Sequence, residues 1–474
     1  MSEVQNFEHL YKDEEGTFRD KVSTIDEDGK RVWVYAHQPP KGSVFYKYRT
    51  WLSYLLLAIF ISMPFIKING QPFMMFNVIE RKFILFGQIF WPQDFFIFGF
   101  AMITAIVFII VFTVVFGRIF CGWICPQTIF MEMVFRKIEY WIEGTAAQQR
   151  TLDRAKWDAR KIRIKLTKWV IFYGIAFLVG NLFLSYIIGV DALWDIVTSP
   201  ISEHVAGFSA MLVFSGVFFF VFASFREQVC TVVCPYGRLQ GVLLDRNSVV
   251  VAYDHVRGEP RGKIKKKADL QGDCIDCNLC VKVCPTGIDI RNGTQLECTN
   301  CTACIDACDS IMDKIGRPRG LIRYASEANI ADNKAFEWTT RVKAYSVVMV
   351  ILLSIFTLLL TTRNSIQTTI IRVPGQLYQE QEDGRISNLY SLKVINKTFE
   401  DKTLSIQRLD GPADIKLVGR EVIELPGEGE VQVTFFITVD EDELTSRKST
   451  FKVGVFEDGK QIEKIKTNFL GPVK

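Results

Sequence analysis

The sequence predicts a multidomain membrane protein in three parts: a five-helix transmembrane bundle, a cysteine-rich α+β insert before the fifth helix, and a C-terminal β-sandwich. Three observations lead to this prediction. Five long apolar runs interrupt the chain, two four-cysteine runs of equal spacing lie between the last two of them, and the final part of the chain alternates apolar with polar residues. A hydrophobic content of 49% and a mean hydropathy of +0.16 are high for a wholly soluble protein.

The five uncharged apolar runs are long enough to cross a bilayer as helices. They cover residues 51–66, 95–117, 169–190, 205–225 and 344–362. The first run is the shortest and contains Pro64, so its ends are the hardest to predict. Because charged or polar residues close each run at membrane spacing, transmembrane helices are favoured over the buried helices of a large globular protein.

Lysine and arginine residues collect on one side of these helices. They are frequent before the first helix, between helices two and three, and between helices four and five, whereas residues 191–203 contain none. By the positive-inside rule, the N-terminal segment and the insert are cytoplasmic and the C-terminal part lies outside. The first residues, MSEVQNFEHLYKDEEG, lack the apolar stretch of a cleavable signal peptide.

The C-terminal part has the pattern of a half-buried sheet. Tyr390, Leu392 and Val394 alternate with polar residues, and residues 431–439 and 451–455 do the same. Turn sequences lie at 382–384, 426–429 and 457–459. This pattern predicts an immunoglobulin-like sandwich, which without cysteines is typical of a docking or packing domain. The predicted domains are 1–48 (cytoplasmic segment), 49–245 (helices one to four), 246–335 (insert), 336–365 (helix five) and 366–474 (periplasmic sandwich).

The two four-cysteine runs carry the clearest chemistry. CIDCNLCVKVCP begins at Cys274 and CTNCTACIDAC begins at Cys298, and both have the spacing C-x2-C-x2-C-x3-C. Three cysteines two residues apart wrap around three irons of a cubane, and the fourth reaches across to a second cluster. The insert is therefore predicted to be a ferredoxin-like α+β domain with two 4Fe-4S clusters, and its work to be electron transfer.

The crossed arrangement also predicts which cysteines share a cluster. One cluster takes Cys274, Cys277, Cys280 and Cys308, and the other takes Cys298, Cys301, Cys304 and Cys284. Structural zinc is the alternative, but three successive two-residue gaps suit paired zinc knuckles poorly. Asp309 stands where the first run has Pro285. The sequence therefore does not predict the backbone conformation after the fourth cysteine of the second run.

Two further cysteine pairs follow the second and fourth apolar runs, each in the pattern C-x3-C-P. They are Cys121 with Cys125, and Cys230 with Cys234, and their repetition indicates an internal duplication. Residues i and i+4 share a helix face, so the four sulfurs are predicted to converge as a soft site at the membrane edge. Such a site suits Cu(I), an additional iron–sulfur centre or a dithiol relay, and simple packing of buried cysteines is the alternative.

Several partners and cofactors are disfavoured. A net charge of +4, with basic residues in blocks beside apolar runs, argues against nucleic acid. The basic run at 263–267 and Lys282 suit either an acidic electron donor or, more simply, anionic membrane lipid. His204 is the only histidine near a predicted helix, which excludes paired haem ligands and predicts no haem. The pair Met74 and Met75 is predicted to pack against lipid rather than to bind copper.

The string CGWICPQT at 121–128 and the string CPYGRLQGVLLDRNSVVVAYDHVRGEPRGK at 234–263, which leads into the cluster runs, resemble the FixG/CcoG family of bacterial cytochrome c oxidase accessory proteins. The resemblance covers nearly the whole chain. Part of this architecture also resembles NapH-like and NosR-like membrane ferredoxins, and the C-terminal sandwich favours FixG/CcoG.

This resemblance implies a protein of the bacterial inner membrane that reduces Cu(II) to Cu(I) for the assembly of a cbb-type cytochrome c oxidase. The catalytic site would then be the four membrane-edge cysteines, Cys121, Cys125, Cys230 and Cys234. The partners would be a cytoplasmic electron donor and either oxidase subunits or copper chaperones and transporters, and a homodimer is left open. Two alternatives are a quinol-linked electron conduit and a non-enzymatic assembly scaffold whose clusters only stabilise the fold.

Overall fold

The computed structural model describes residues 12–13, 16–17, 33–68, 70–77, 82–263, 272–333, 337–375, 377–444 and 446–472. The chain forms two compact units, each built from separate segments. The first unit comprises Met1–Met63, Phe100–Ser185 and Asp191–Ile355, and the second comprises Pro64–Gly99, Tyr186–Val190 and Phe356–Lys474. This division follows contacts instead of chain order, so the five sequence-based domain boundaries stay predictions.

Among the described residues, five helices are long and apolar enough to cross a membrane, which is the predicted number. These spans are Val44–Phe65, Phe95–Phe116, Ala159–Ile188, Val205–Phe225 and Thr340–Thr361. The first and third spans begin well before their apolar runs, because lysine and arginine in the flanks are good helix formers and let the helix continue beyond its apolar part.

Shorter elements connect the spans in the part of the chain that the structure describes. The short helices are Ile119–Trp123, Pro126–Thr128, Arg136–Ile142, Ala146–Arg154, Val190–Thr198, Pro235–Leu243, His255–Gly258, Leu279–Lys282, Ala303–Ile315 and Glu327–Asp332. Wider π-helical turns occupy Ile129–Phe135, Val221–Phe225 and Val229–Val233, and 3-10 turns occupy Met63–Phe65, Pro92–Asp94, Ile201–Glu203, Ile290–Asn292 and Glu441–Glu443.

Segment 127–143 is amphipathic in sequence, which predicts a helix lying on the inner membrane surface, and in the structure many of its apolar side chains are buried inside the first unit. Phe130 and Phe135 are buried against Phe172 and Phe222 of the third and fourth spans. The π-helical turn shifts the side chains around the axis, so the apolar residues do not keep to one face. The segment is part of the core of the first unit.

The insert is an α+β domain in the first unit. Its strands Val250–Tyr253 and Ile322–Ala325 pair antiparallel, and its helices Leu279–Lys282 and Ala303–Ile315 follow the two cysteine runs. The first helix ends before Pro285, whereas the second continues through Asp309, because aspartate keeps the backbone N–H that proline lacks. The Asp309 carboxylate accepts a hydrogen bond from the Gly320 amide at 2.9 Å, which fixes the chain after this longer helix.

The second unit contains the predicted sandwich of two antiparallel sheets. One sheet has the order Ile366–Arg372, Ile386–Asn396, Glu430–Val439 and Asp414–Leu417, with Gln379–Glu380 beside the second strand. The other has the order Ile423–Leu425, Lys402–Arg408, Lys448–Glu457 and Lys460–Leu470. Tyr390, Leu392 and Val394 are fully buried, as their alternation predicts. The Tyr390 hydroxyl donates to the Asn468 carbonyl at 2.9 Å, which joins the two sheets.

Short strands lie between the first two spans in the same unit. They are Lys67–Ile68, Gln71–Pro72, Met74–Asn77, Lys82–Leu85 and Gln88–Phe90. Met75 is buried with Ile84 and Ile89, so its thioether serves packing. The remaining strands of the described chain, Lys12–Asp13 and Gly16–Thr17, pair with each other.

A buried ion cluster joins three segments of the second unit. Asp94, just before the second span, accepts hydrogen bonds from Arg363 at 2.6 Å and from Lys397 of the sandwich at 2.5 Å. The three side chains are 4%, 10% and 5% exposed. Burial raises the pKa of Asp94, but the Lys397 hydrogen bond and the Arg363 charge outweigh it and hold this pKa below its usual value.

We expect Asp94→Asn to destabilise the second unit by about 3–5 kcal/mol, because it leaves two buried cations without a counter-charge. The measurement is thermal unfolding of the full-length protein in detergent, together with hydrogen exchange of Ile366–Arg372. Asp383→Asn, in the exposed pair with Arg385, is the control and should leave the unfolding midpoint unchanged.

The pH dependence follows from the lowered pKa of Asp94. The contribution of this carboxylate is complete above its unfolded-state pKa, about 3.9, and is lost as the pH falls through the lower folded-state value. The difference between wild type and Asp94→Asn should therefore be constant at neutral pH and shrink only below about pH 4. A difference that shrinks as the pH rises from 5 to 8 would contradict this assignment.

Candidate metal centres

The first cysteine cavity of the insert is lined by Cys274, Cys277, Cys280 and Cys308, with apolar walls from residues such as Met312. Its empty volume is about 360 Å³, including space open to the surroundings. Three of these cysteines come from the first run and the fourth from the second run. Cys277 is the exposed member of the set, so this cavity lies beside the surface of the insert.

The second cysteine cavity is lined by Cys284, Cys298, Cys301 and Cys304, and its empty volume is about 340 Å³, including space open to the surroundings. Cys280 of the first set also reaches its wall, so the two cavities are neighbours. The structure thus gathers the eight cysteines into the two sets that the crossed spacing predicts. Which thiolate binds which iron stays a prediction.

The two runs fold alike around their cavities. Asp276 and Asn278 in the first run, and Asn300 and Thr302 in the second, have left-handed backbone conformations with φ between 52° and 64°. These residues stand at equivalent places, before and after the second cysteine of each run. Alternation of right- and left-handed residues forms a concave backbone that suits an anionic group such as a thiolate-bound cluster.

The donor set fits an iron–sulfur cluster better than a single ion. Among the described residues, no three His, Cys, Asp or Glu side chains are close enough together to hold one metal ion. A cubane places its four thiolates on four different irons, whereas zinc needs four ligands around one centre. Burial raises the pKa of Cys280 and of Cys298 to about 12, so cluster binding must release protons from these thiols.

The membrane-edge cysteines do not lie on continuous helices, which corrects the i, i+4 prediction. Cys121 belongs to the helix Ile119–Trp123, while Cys125 caps the next helix, Pro126–Thr128. Cys230 and Cys234 repeat this arrangement around the start of Pro235–Leu243. The cause is the proline after each second cysteine, which interrupts the preceding helix and starts a new one at its first position.

The four membrane-edge thiols nevertheless come together, and we call them the four-thiol site. Burial raises the pKa of Cys230 to about 12, and the neighbouring Cys125 and Cys121 add to this effect. Burial likewise raises the pKa of Cys121 to about 11, with a contribution from Cys234 and an opposing one from Arg118. All four thiols are free of disulfides.

Gln240 and Gly237 complete the wall of the four-thiol site. Gln240 is fully buried, and its Oε1 accepts hydrogen bonds from the Cys121 thiol at 3.2 Å and from Arg118 Nε at 2.9 Å. The Gln240 side chain also interacts with the Tyr236 hydroxyl. A Cβ atom on Gly237 would lie 2.8 Å from the Cys230 carbonyl oxygen, so only glycine fits there.

Arg118 connects the four-thiol site to the second cysteine cavity. Its Nη1 donates to the Cys298 carbonyl at 3.2 Å and also to the Leu296 carbonyl. Beside it, a Cβ atom on Gly122 would lie 2.5 Å from the Thr299 carbonyl oxygen, which shows how closely the two loops pack. Arg118 and Gln240 were not predicted as site residues. They lie 122 positions apart in the chain, so no local sequence pattern indicates that their side chains meet.

Three family models match the chain. One described as a 4Fe-4S dicluster domain matches residues 225–327, and one described as a 4Fe-4S binding domain matches residues 98–144. A third, described as an IG-like fold at the C-terminus of FixG, matches residues 356–472. The eight insert cysteines together with Cys230 and Cys234 fall within the first region, Cys121 and Cys125 fall within the second, and the sandwich strands fall within the third.

Curated relatives match most of the chain. Protein RdxA and Protein RdxB of Cereibacter sphaeroides are 34% and 35% identical, over 77% of this chain and 80% of each relative. Nitrogen fixation protein FixG of Rhizobium meliloti is 31% identical, over 78% of this chain and 76% of its own length. A solved FixG-related protein from Vibrio parahaemolyticus is 23% identical, covering 23% of this chain and 97% of that structure, with a TM-score of 0.19.

Paired serine variants test the crossed ligand sets. Cys274→Ser/Cys308→Ser removes two ligands from one predicted cluster, so we expect one 4Fe-4S signal to disappear and the other to stay unchanged. Cys274→Ser/Cys284→Ser is the matched control, which takes one ligand from each set and should alter both signals. The measurement is electron paramagnetic resonance of the reduced protein. If the two double variants give the same spectrum, the crossed pairing is wrong.

Proposed function

Because this chain belongs to the RdxA, RdxB and FixG family of iron–sulfur membrane proteins, we propose that it reduces Cu(II) to Cu(I) for the assembly of a cbb-type cytochrome c oxidase. The broader activity is electron transfer by an iron–sulfur protein with membrane-spanning helices. The observation that carries the proposal is the close packing of the four-thiol site on the second cysteine cavity, through Arg118 and Gly122.

The order of the three cysteine sets supports a direction for the electrons. When bound, a 4Fe-4S cluster supplies reversible uptake of one electron at a time. The exposed Cys277 marks the side of the insert that an electron donor can approach. The loop that carries Cys298 contacts Arg118, which borders the four-thiol site. We assign the donor side to the first cavity and the exit to the second.

Copper enters this proposal as the substrate. Reduction of each Cu(II) ion takes one electron, which a reduced carrier protein in the cytoplasm must supply. Thiols are soft ligands that favour Cu(I) over harder ions, and the four-thiol site is the place in the described chain where four of them meet beside the insert. Transfer of Cu(I) to oxidase subunits or to copper carriers is part of the proposal.

We assign the N-terminal segment and the insert to the cytoplasm and the sandwich to the periplasm of a bacterial inner membrane. The support is the charge distribution, since residues 191–203 contain no lysine or arginine while the connections on the other side are basic. Most of the basic run at 263–267 lies outside the described residues.

A quinol-linked conduit is the second candidate function, and one cavity favours it. An apolar pocket of about 810 Å³, including space open to the surroundings, lies between the second and fifth spans. Phe112, Phe116 and Trp338 are among its aromatic walls, and it reaches Val249, beside the first strand of the insert. A quinone ring would find apolar contacts there but few polar partners, so copper reduction is preferred.

Replacing Cys121, Cys125, Cys230 and Cys234 together with serine tests the copper site. We expect cupric reductase activity to fall by about a hundredfold or more, because serine removes every soft ligand at the site. Val233→Ser, an exposed change beside Cys234, is the control and should keep full activity. Unchanged activity in the fourfold variant would remove the proposal. Stopped-flow oxidation of dithionite-reduced protein, by Cu(II) and by a quinone analogue, compares the two candidates.

Arg118→Lys tests the connection between the insert and the four-thiol site. Lysine keeps the charge but cannot reach Gln240, Cys298 and Leu296 at once, so we expect Cu(II) to oxidise the reduced protein about tenfold more slowly. Iron content should not change, because Arg118 is not a ligand. Arg319→Lys, in an exposed pair with Asp313, is the matched control. Equal rates in the two variants would show that Arg118 does not govern the transfer.

A further inference from the structure

We infer that the four-thiol site holds a third 4Fe-4S cluster, with Cys121 and Cys125 from one C-x3-C-P pair and Cys230 and Cys234 from the other as its ligands. This inference rests on the proposed function, in which Cu(II) is reduced at this place, and it names the resident group through which the electron would reach the copper ion. The inference stands on the cysteine count, the arrangement of the four thiols and the buried groups around them.

The cysteine count leaves one complete set of ligands. The chain has 12 cysteines, and the region matched as a dicluster domain contains two more than the eight that two cubanes require. The region matched as a 4Fe-4S binding domain, 98–144, contains only Cys121 and Cys125. Two thiolates are half of what a cubane takes, so the other two must come from elsewhere in the fold.

The fold supplies the missing pair. The Cys230 segment meets the Cys121 segment through the Phe120–Tyr236 ring contact at 6.0 Å and through Gly237, which brings the Cys230 carbonyl beside Arg118. The duplication therefore places two equivalent C-x3-C-P loops opposite each other. Each loop alone supplies two cysteine ligands, and the two loops together supply the four that a cubane needs.

The spacing of the thiols favours a cluster over one copper ion. In the described part of the chain, neither the four-thiol site nor the eight cysteines of the insert contain three ligands close enough for a single ion. The four-thiol site therefore resembles the ferredoxin sets in this respect. A Cu(I) centre with three thiolates would draw them around one atom, an arrangement that the described residues do not provide.

The buried polar groups around the site suit an anionic cluster. A cubane with four thiolates carries net negative charge, and Arg118, which is 5% exposed, places a guanidinium beside it. Gln240 is fully buried and adds an amide N–H donor beside the Cys121 thiol. Cluster sulfur atoms accept hydrogen bonds of this kind, and such bonds help to set the cluster's reduction potential.

Metal analysis of the full-length protein tests the inference. Protein that has been purified anaerobically, reconstituted with iron and sulfide, and freed of copper with a Cu(I) chelator should contain about twelve irons and twelve sulfides per chain. About eight of each would overturn the inference, and about ten of each, which indicates a 2Fe-2S centre, would also overturn it. This count needs no variant, so it stands even where a variant fails to fold.

The double variant Cys121→Ser/Cys230→Ser locates the third cluster. It takes one ligand from each loop, and we expect it to lose about four irons and four sulfides while both ferredoxin signals stay unchanged. Val233→Ser is the control and should keep the full complement. Unchanged iron in the double variant would overturn the inference, and so would copper bound by wild type and lost by the double variant without loss of iron.

The outcomes separate this inference from the proposed function. A chain with about twelve irons that does not reduce Cu(II) would keep the third cluster and remove the copper proposal. A chain with about eight irons that reduces Cu(II) at the four thiols would do the reverse.

Discussion

The close approach of two loops is the constraint on which the electron-transfer part of this structure depends. Gly122 lies in the first C-x3-C loop, and its Cα faces the Thr299 carbonyl at a distance that leaves no room for a Cβ atom. Any larger residue would push the membrane-edge loop away from the loop that carries Cys298. Electron tunnelling weakens steeply with distance, so on the proposed path from the insert to the four-thiol site this glycine keeps the transfer distance short.

Much of the fold follows from local patterns in the sequence. The five spans, the two cysteine runs and the alternation around Tyr390 each depend on spacing within one segment, and the structure contains all three features. The four-thiol site was predicted only in part. Its cysteines were predicted from their repeated spacing. Arg118 and Gln240 come from different halves of the repeat, and no periodic pattern in the sequence predicts their contact. The buried π-helical turn Ile129–Phe135 escaped for a related reason, because a change of helix type moves side chains off the face that a constant period assigns.

The two C-x3-C halves differ in the partners of their buried arginines. Arg118 and Arg226 precede their C-x3-C pairs in the two halves, and both are buried. Arg118 binds the insert, whereas Arg226 forms an ion pair with Glu139 at 2.5 Å and lies over the Trp33 ring. Burial alone would raise the pKa of Glu139, but Arg226 and Lys168 hold it at about 2. Breaking the buried Arg226–Glu139 pair would leave an uncompensated charge, so this pair fixes the second loop in place, whereas hydrogen bonds from Arg118 fix the first.

The sandwich differs from the cysteine sites in its amino-acid composition. Residues 356–474 contain no cysteine, histidine or methionine, so this domain lacks the soft side chains that bind copper. Asp94 binds Lys397 of the sandwich together with Arg363, which follows the fifth span, and this buried cluster attaches the domain to both helix ends. A flexible tether would need no such cluster, because a loose domain gains nothing from burying three charges. The sandwich is therefore a domain that is held firmly at these helix ends and that lacks soft copper ligands.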